Sequence, residues 1–483
     1  MKWIFFFCLF ISVAGFAQTD VFLKAYGNTG YDFGRDIVQD NDSGYVITGS
    51  SSSFGPDNGE AYLLKLNTAG EFSWSRNYGG EGSEWGEGLV VTNDSTYAIA
   101  GYTNSYGAGG FDFYLIRIDA TGEPIWQKTF GGTNWDKAFA LVQLADSGFV
   151  LVGDSYSFEG GIQRGYIVRT NKNGELLWEK TVEGPMPSFF TDVTLDGDSI
   201  VICGGKGDGG IETFDGLIQK YHIDGTFGWE KTIGKEFNDF FSAIYSSGGY
   251  YSLGGTRSYT YPLDKENMWM YRTDDIGNKI IDTVYVNFSP NTDGVNDITI
   301  RDFDQDYYFV GHTKSYGYLL DGFADIFVGK MTATEIHLTA NTYGEKGTDI
   351  GQAIAKTRDG GVVFLCDTEF FATGGHNILV IKLNYLWEYP GLFDFIEYDD
   401  ITTSVEEIVQ KELIEIYPNP FQEIIYLPEI ETGYISIYGL DGKLVTSKDV
   451  DNNQVNLSEL SKGIYVLSVT VDNILYQKRI IKN

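Results

Sequence analysis

Aromatic residues stand beside hydroxyls or carboxylates in two recurring sets, and that pairing is the chemistry this sequence offers. One set reads Ser-aromatic: Ser53-Phe54, Ser105-Tyr106, Ser157-Phe158, Ser258-Tyr259 and Ser315-Tyr316. The other brings Tyr31-Asp32, Glu84-Trp85, Trp135-Asp136, Phe189-Phe190 and Phe240-Phe241. Flat apolar rings next to hydrogen-bonding groups suit a sugar ring or a peptide side chain. Tyr31, Trp85, Tyr106, Trp135, Phe158 and Tyr316 are therefore the candidate ligand-binding residues. The competing expectation is that they wedge between repeats and only pack.

Two further patterns carry oxygen ligands. Asp32, Glu84, Asp136 and Asp349 hold equivalent places in successive repeats, where they would either ring a cation or cap turns. The run Asn291-Thr292-Asp293-Gly294-Val295-Asn296-Asp297 alternates oxygen donors before a Gly, as a calcium loop does. Asn291, Asp293 and Asp297 are its candidate ligands for calcium, although the run lacks the twelfth-position Glu of an EF-hand and an insertion turn explains it more simply. No catalytic residue is assigned. The four His residues show no metal-ligand spacing, and neither a Gly-x-Ser-x-Gly elbow nor a phosphate loop is present. Carboxylate pairs for glycosidic chemistry are available, but their separation is not visible in a sequence.

The elements that must position these residues repeat. From Gly80 to Gly132 the chain runs through four strand-length segments rich in β-branched and aromatic residues, with turn residues between them. Gly49, Gly101, Gly153, Gly204, Gly254, Gly311 and Cys366 close the second segment of seven copies, at intervals of 50 to 57 residues. A basic residue recurs in the third segment, at Lys65, Arg117, Arg169, Lys220, Arg272, Lys330 and Lys382, where pairing with carboxylates on neighbouring strands is expected. The fourth carries Trp74, Trp126, Trp178 and Trp229, then Ile281, as blade-to-blade packing. Four-strand units at this period predict an all-β, seven-bladed β-propeller. The seventh copy lacks a fourth strand, and Phe22-Leu23-Lys24-Ala25-Tyr26-Gly27 matches Trp126 to Gly131 position for position. The beginning of the mature chain is thus expected to close the ring, which removes an exposed edge. In such blades the two aromatic sets emerge on one face.

Residues 1–17 read as a secretory signal peptide: Lys2, an apolar run from Trp3 to Ala14, and the small-x-small site Gly15-Phe16-Ala17. The run is too short for a membrane span. Cys203 and Cys366 remain in the mature chain, too far apart in the ring to form a disulfide. With 34 basic and 67 acidic side chains, the net charge is −33, a surface that repels nucleic acid and anionic membranes. The propeller is expected over 18–396 and an acidic linker over 397–412.

Residues 413–483 alternate apolar and polar side chains as a small antiparallel β-sandwich would. They also carry Ile416-Tyr417-Pro418-Asn419-Pro420, Gly442-Lys443, Asn456-Leu457 to Leu460, Lys462-Gly463-Ile464-Tyr465 and the terminal Lys478-Arg479-Ile480-Ile481-Lys482. On those motifs the segment resembles the type A C-terminal sorting domain of type IX secretion. The resemblance implies that Pro418, Asn419, Pro420, Gly442, Gly463, Tyr465, Lys478 and Arg479 belong to a sorting signal. It further implies that the type IX secretion machinery is a partner, and that the protein is released or held at the cell surface. Gly439 stands where family members more often carry Asp or Asn. The expected function is a non-catalytic binding module for glycan or protein. The alternatives are a glycan-active hydrolase or lyase using carboxylates of the same face, and a structural or adhesive surface component.

Overall fold

The computed structural model describes residues 21–27, 30–53, 59–158, 160–207, 213–234, 238–258, 266–285, 292–301, 306–314, 323–331, 338–343, 347–369, 375–384, 398–399, 416–418, 420–428, 430, 432–439, 444–471 and 474–482. The signal peptide, nearly all of the linker and the Asn291, Tyr316, Asn419 and Gly442 positions lie outside them. Contacts divide the chain into Met1–Glu388 and Tyr389–Asn483, and each unit is described by itself.

In the first unit, short turns with strained small residues start the meander. Ser43, Ser95 and Ser147 adopt φ of 68°, 62° and 65° between the first and second strands of three successive repeats. The preceding Asp42, Asp94 and Asp146 receive the third-strand cations: Lys65 Nζ lies 2.8 Å from Asp42, Arg117 2.5 Å from Asp94 and Arg169 2.5 Å from Asp146. In these three blades the repeated basic residue is therefore a turn clamp. The same role recurs in Lys330–Asp306 at 2.7 Å and Lys382–Asp359 at 2.9 Å.

Each repeat forms one antiparallel sheet in chain order, giving blades 1 (32–78), 2 (84–130), 3 (136–181), 4 (188–233), 5 (239–285) and 6 (293–343). Blade 7 joins Asp349–Lys356, Val362–Thr368 and Asn377–Leu383 to Phe22–Tyr26. Second strands such as Tyr45–Ser51, Tyr97–Thr103 and Phe149–Ser155 are buried along their whole length. Both of their faces are covered, by the blade before and the blade after. Fourth strands such as Phe72–Tyr78 form the outer rim and stay largely open.

Every innermost strand carries one extra residue, at the bulges Gly34/Asp36, Gly86/Gly88, Ala138/Ala140, Phe190/Asp192, Phe241/Ala243, Val295/Asp297 and Gly351/Ala353. A bulge re-aims side chains, and it also explains the glycine that marks the repeat. A Cβ on Gly101 would fall 1.7 Å from the Trp85 carbonyl oxygen, and one on Gly49 1.8 Å from that of Phe33. In blade 5 the residue so placed is Gly255, 2.2 Å from the Phe240 oxygen, one position later than the Gly254 expected from the sequence.

Ring closure follows from the same packing code. Trp74 meets Tyr97, Trp126 meets Phe149 and Trp229 meets Tyr251, each at 6.2 Å between centroids and each across a blade boundary. The positive-φ turn glycines Gly122, Gly174 and Gly277 lie against Trp74, Trp126 and Trp229, where a Cβ would come within 2.9, 2.7 and 3.2 Å. At the seam between blades 7 and 1, Phe22 does the work of the Trp: its ring is 5.7 Å from Tyr45, and a Cβ on Gly70 would fall 2.6 Å from it. The pairs Phe22↔Lys382 through Tyr26↔Ile378 complete the blade as expected. Cys203 and Cys366 are buried and unpaired.

The second unit is a six-stranded antiparallel sheet ordered Ile424–Tyr426, Gln454–Asn456, Leu444–Asp451, Thr432–Gly439, Gly463–Val471, Ile474–Lys482. The segment before it ties its two outermost strands, with bridges Tyr417↔Tyr426 and Phe421↔Lys482. Phe421, Ile425, Leu427, Ile435, Ile437, Leu467 and Ile480 make its core.

Candidate functional site

The first and second residues of each innermost strand divide the labour at the end of the ring where the aromatic sets lie. First-position acids are consumed within their own blades. Asp32 accepts from Ser51 Oγ at 2.5 Å and Ser53 Oγ at 2.6 Å. Glu84 accepts from Thr103 Oγ1 at 2.7 Å, Asp293 from Thr313 Oγ1 at 2.6 Å, and Asp349 from Thr368 Oγ1 at 2.6 Å. Asp136 accepts from Ser157 Oγ and Gly132 N, both at 2.7 Å. These carboxylates fasten loops, which is the turn-capping role. The repeated Ser has the same explanation, since Ser53, Ser105 and Ser157 bind the loop entering their blade.

Second-position residues stand on the opposite side of the strand, and in blades 1 to 3 they are Phe33, Trp85 and Lys137. With the strand and loop residues around them they build one connected path of rings. Its centroid steps are Tyr31–Phe33 6.3 Å, Phe33–Trp85 5.6 Å, Trp85–Tyr102 6.2 Å, Tyr102–Phe111 5.2 Å and Phe111–Trp135 5.8 Å. The two ends are open, with Tyr31 57% and Trp135 56% exposed, while Phe33, Trp85 and Phe111 are half-buried. Two cations lie on the path. Arg35 sits 5.1 Å from the Trp85 ring and 5.5 Å from Phe33. Lys137 Nζ sits 4.7 Å from Tyr102, 5.1 Å from Phe111 and 5.2 Å from Trp135.

Carboxylates flank this path. Arg35 binds Asp367 at 3.0 Å and approaches Glu87 at 3.6 Å. Asp367 also accepts from Gly34 N and from Gln352, both at 2.8 Å. Burial pushes Glu87 up to about 7, against the pull of Arg35 and a hydrogen bond from Tyr102. Asp154, paired across the strands with Lys137, is pushed up to about 6 by burial.

Of the predicted residues, Tyr31, Trp85 and Trp135 fall on this path. Tyr106 stands apart over blade 2, its hydroxyl donating to the Gly79 carbonyl at 2.8 Å. It lines an open recess of about 600 Å³ with Gly80, Glu81, Gly82, Asn104 and Ser105. Phe158 packs inward, 5.2 Å from Tyr166, so it acts as a wedge. Phe33, Arg35, Tyr102, Phe111, Lys137 and Asp154 were not singled out from the sequence. Pairing the second position of each first strand with its cross-strand partner would have found four of them, Phe33 with Trp85–Tyr102 and Lys137–Asp154 at one repeat position.

Asp293 and Asp297 do not share a loop. They lie on the strand Asp293–Ile300, about 13 Å apart at the usual rise. Asp297 instead bridges blades, accepting from Ile298 N at 2.7 Å and Ile354 N at 2.8 Å. Asp36 and Asp192 repeat that clasp onto Leu89 N and Ile244 N at 2.7 and 2.8 Å. All three cover amides on the inner edge of the following blade, and burial raises the pKa of each, Asp36 to about 7 and Asp192 to about 6. Among the described residues, no group of three or more His, Cys, Asp or Glu is gathered closely enough to hold a metal ion.

In the second unit Pro418 follows a cis peptide bond and is exposed, as is Pro420. Tyr465 packs on the core while its hydroxyl donates to the Ser461 carbonyl at 2.9 Å. Gly463 begins the fifth strand of the sheet, and Lys478 and Arg479 lie on the last.

Residues 415–483 match the family of secretion system C-terminal sorting domains. The regulatory protein FlaEY of Caulobacter vibrioides is 29% identical over 155 residues, covering 29% of this chain and 15% of that protein. Among solved structures, the Neurospora crassa Pan2 WD40 domain aligns at 10% identity with TM-score 0.46, over 76% of this chain and 92% of that one. PorZ, described as a surface component of the type IX secretion system of Porphyromonas gingivalis, aligns at 10% identity with TM-score 0.43, over 95% of this chain and 60% of that one. The β-propeller domain of the Trilobed protease from Pyrococcus furiosus aligns at 13% identity with TM-score 0.43, over 77% and 99%. At these scores the propeller assignment rests on the seven sheets themselves. No helix among the described residues is long and apolar enough to cross a membrane. The chain is thus a β-propeller followed by a type IX secretion sorting domain, and its place is the cell surface or the extracellular medium.

Proposed function

We propose that the propeller is a binding module for a glycan or protein ligand, displayed outside the cell, and that its ligand lies along the ring path from Tyr31 to Trp135. One observation carries this reading: two large aromatic side chains stand more than half exposed at the ends of a continuous ring path that also bears Arg35 and Lys137. Open aromatic faces with charged groups at their margins are the usual make-up of recognition surfaces. The test is a glycan array and a panel of defined surface proteins, read with the wild type and with Tyr31→Ala/Trp135→Ala. The double variant is expected to keep the wild-type melt and lose at least about tenfold in affinity, the effect of removing two stacking contacts. Undiminished binding overturns the assignment of the site.

Glu87 and Asp154 favour a second reading, a glycan-cleaving enzyme. Both are carboxylates whose proton affinity burial raises towards neutrality, the condition for a general acid. Turnover of a bound glycan that Glu87→Gln abolishes, with binding retained, would establish it in place of the binding-only function.

A further inference from the structure

Lys137 holds an unusual position for a cation in a protein of net charge −33. Its ammonium is surrounded by three aromatic rings at 4.7 to 5.2 Å, and it makes no ion pair among the described residues. Its cross-strand partner is Asp154, so the two side chains leave the same face of the sheet. Asp154 is only 6% exposed, Gln163 donates to its Oδ2, and its buried Oδ1 has no hydrogen-bond partner. A buried carboxylate oxygen without a donor is costly. The lysine held on the rings is a donor on that same face, and its charge already acts on this carboxylate.

We propose that Tyr102, Phe111 and Trp135 form an ammonium-binding cage that Lys137 fills in the free protein, and that a lysine side chain of a basic peptide partner displaces Lys137 onto Asp154 Oδ1. This rests on the reading that the ring path is the ligand-binding face, and it names the chemistry recognised there. The cage's own occupant shows that it accepts a primary ammonium on an alkyl stem. Rings attract such a cation through their quadrupole. The net charge of −33 draws polycations to the surface. The exchange conserves charge pairing: the rings keep a cation, and the displaced ammonium gains a carboxylate. Trp135, the most exposed ring of the three, is the open side through which the incoming group enters.

Self-occupancy gives the idea a signature that ordinary surface attraction lacks, because removing the resident lysine must strengthen binding. Tetramethylammonium and a blocked pentalysine peptide are titrated calorimetrically against the full propeller chain at physiological salt. Lys137→Met is expected to bind both about three- to fivefold tighter than wild type, the worth of one exposed cation–π contact. Lys172→Met makes the same charge change on an exposed hairpin turn and is expected to leave the affinities unchanged. Asp154→Asn is expected to weaken pentalysine binding severalfold in the wild type, yet to have no effect in the Lys137→Met background, where nothing needs to be received. Trp135→Ala removes binding in both. Equal affinities for Lys137→Met and wild type, with unchanged melts, overturn the cage. So does a chitosan oligomer that binds tighter than pentalysine, since it would make an amino sugar the ligand. If glycan-array binding is lost in Trp135→Ala while neither ammonium probe binds Lys137→Met, the binding face stands and the cage alone falls.

Discussion

Asp367 in blade 7 and Asp154 in blade 3 hold the same place in the repeat, each paired across the strands with the second residue of its own first strand. Their surroundings differ. Asp367 spends both oxygens on the next blade and on its own: Gly34 N, Arg35 and Gln352 all donate to it. Asp154 receives only Gln163 and leaves Oδ1 without a partner. The cations differ in parallel, for Arg35 is shared between Asp367 and Glu87, whereas Lys137 lies against three rings and makes no ion pair among the described residues. Blade 7 is where the ring is closed by a strand from the other end of the chain, and blade 3 lies well inside a continuous run of strands. One repeat position therefore serves as a fastener where the ring needs fastening, and stays available where covalent continuity already holds the blades. The proposed binding site beside blade 3 rests on that contrast.

The largest expected effect tests the seam. Phe22→Ala removes the ring that packs on Tyr45 and Gly70 in place of the repeated Trp. It should cost about 3 kcal/mol, as buried Phe truncations do, and expose the beginning of the chain to proteolysis. A loss below about 1 kcal/mol in urea unfolding would mean that the closing strand adds little. Next come the paired carboxylates. Asp367→Ala leaves the Gly34 amide and Arg35 without their acceptor and should cost about 3 kcal/mol at pH 7. Asp154→Ala at the same repeat position should change stability by no more than about 1 kcal/mol. Similar losses in both would erase the distinction drawn between the two blades.

The seam was legible because it is written as repetition. Phe22 to Gly27 matches Trp126 to Gly131, and the packing of Phe22 on Tyr45 and Gly70 repeats what Trp126 does with Phe149 and Gly174. The sorting domain was legible for a similar reason, in that its motifs sit at fixed spacing. The site was only half visible. Tyr31, Trp85 and Trp135 drew notice as aromatics beside acids, but those acids turned out to be loop fasteners. The charged residues on and beside the ring path, Arg35, Lys137 and Asp154, depend on a bulge and on cross-strand register. A one-residue slip in register reverses which face a side chain occupies, so short-range patterns do not reveal it. Phe158 went the other way, since nothing in Ser157-Phe158 tells a wedge from a platform, and its contact with Tyr166 settles it.

A smaller effect separates the two aspartates by pH. Burial holds the Asp154 pKa near 6 in the folded protein, above its ordinary 3.8. The folded state then binds the proton more tightly than the unfolded chain, so this group lowers stability as pH rises from about 4 through about 6, and the full penalty stands above that range. Asp154→Ala should accordingly be less stable than wild type by about 1 kcal/mol at pH 4 and more stable by about 1 kcal/mol at pH 7, in line with that rise. Melts collected across that range check it. A difference that does not change sign would show that Asp154 Oδ1 already has a donor.

The smallest stability change is expected at Trp135, the open end of the ring path beside blade 3. Trp126 and Trp135 are nine residues apart in the sequence, yet Trp126 is gripped between Phe149 and the Gly174 turn of the next blade, while Trp135 meets Phe111 edge-on and Lys137 beside it and stays more than half exposed. Trp126→Ala should cost about 3 kcal/mol, and Trp135→Ala less than about 1 kcal/mol, because little apolar area leaves water there on folding. Melting curves of the two variants decide the matter. If Trp135→Ala destabilised as much as Trp126→Ala, Trp135 would be a structural wedge like Phe158, and the open end of the ring path would lose its claim to a ligand.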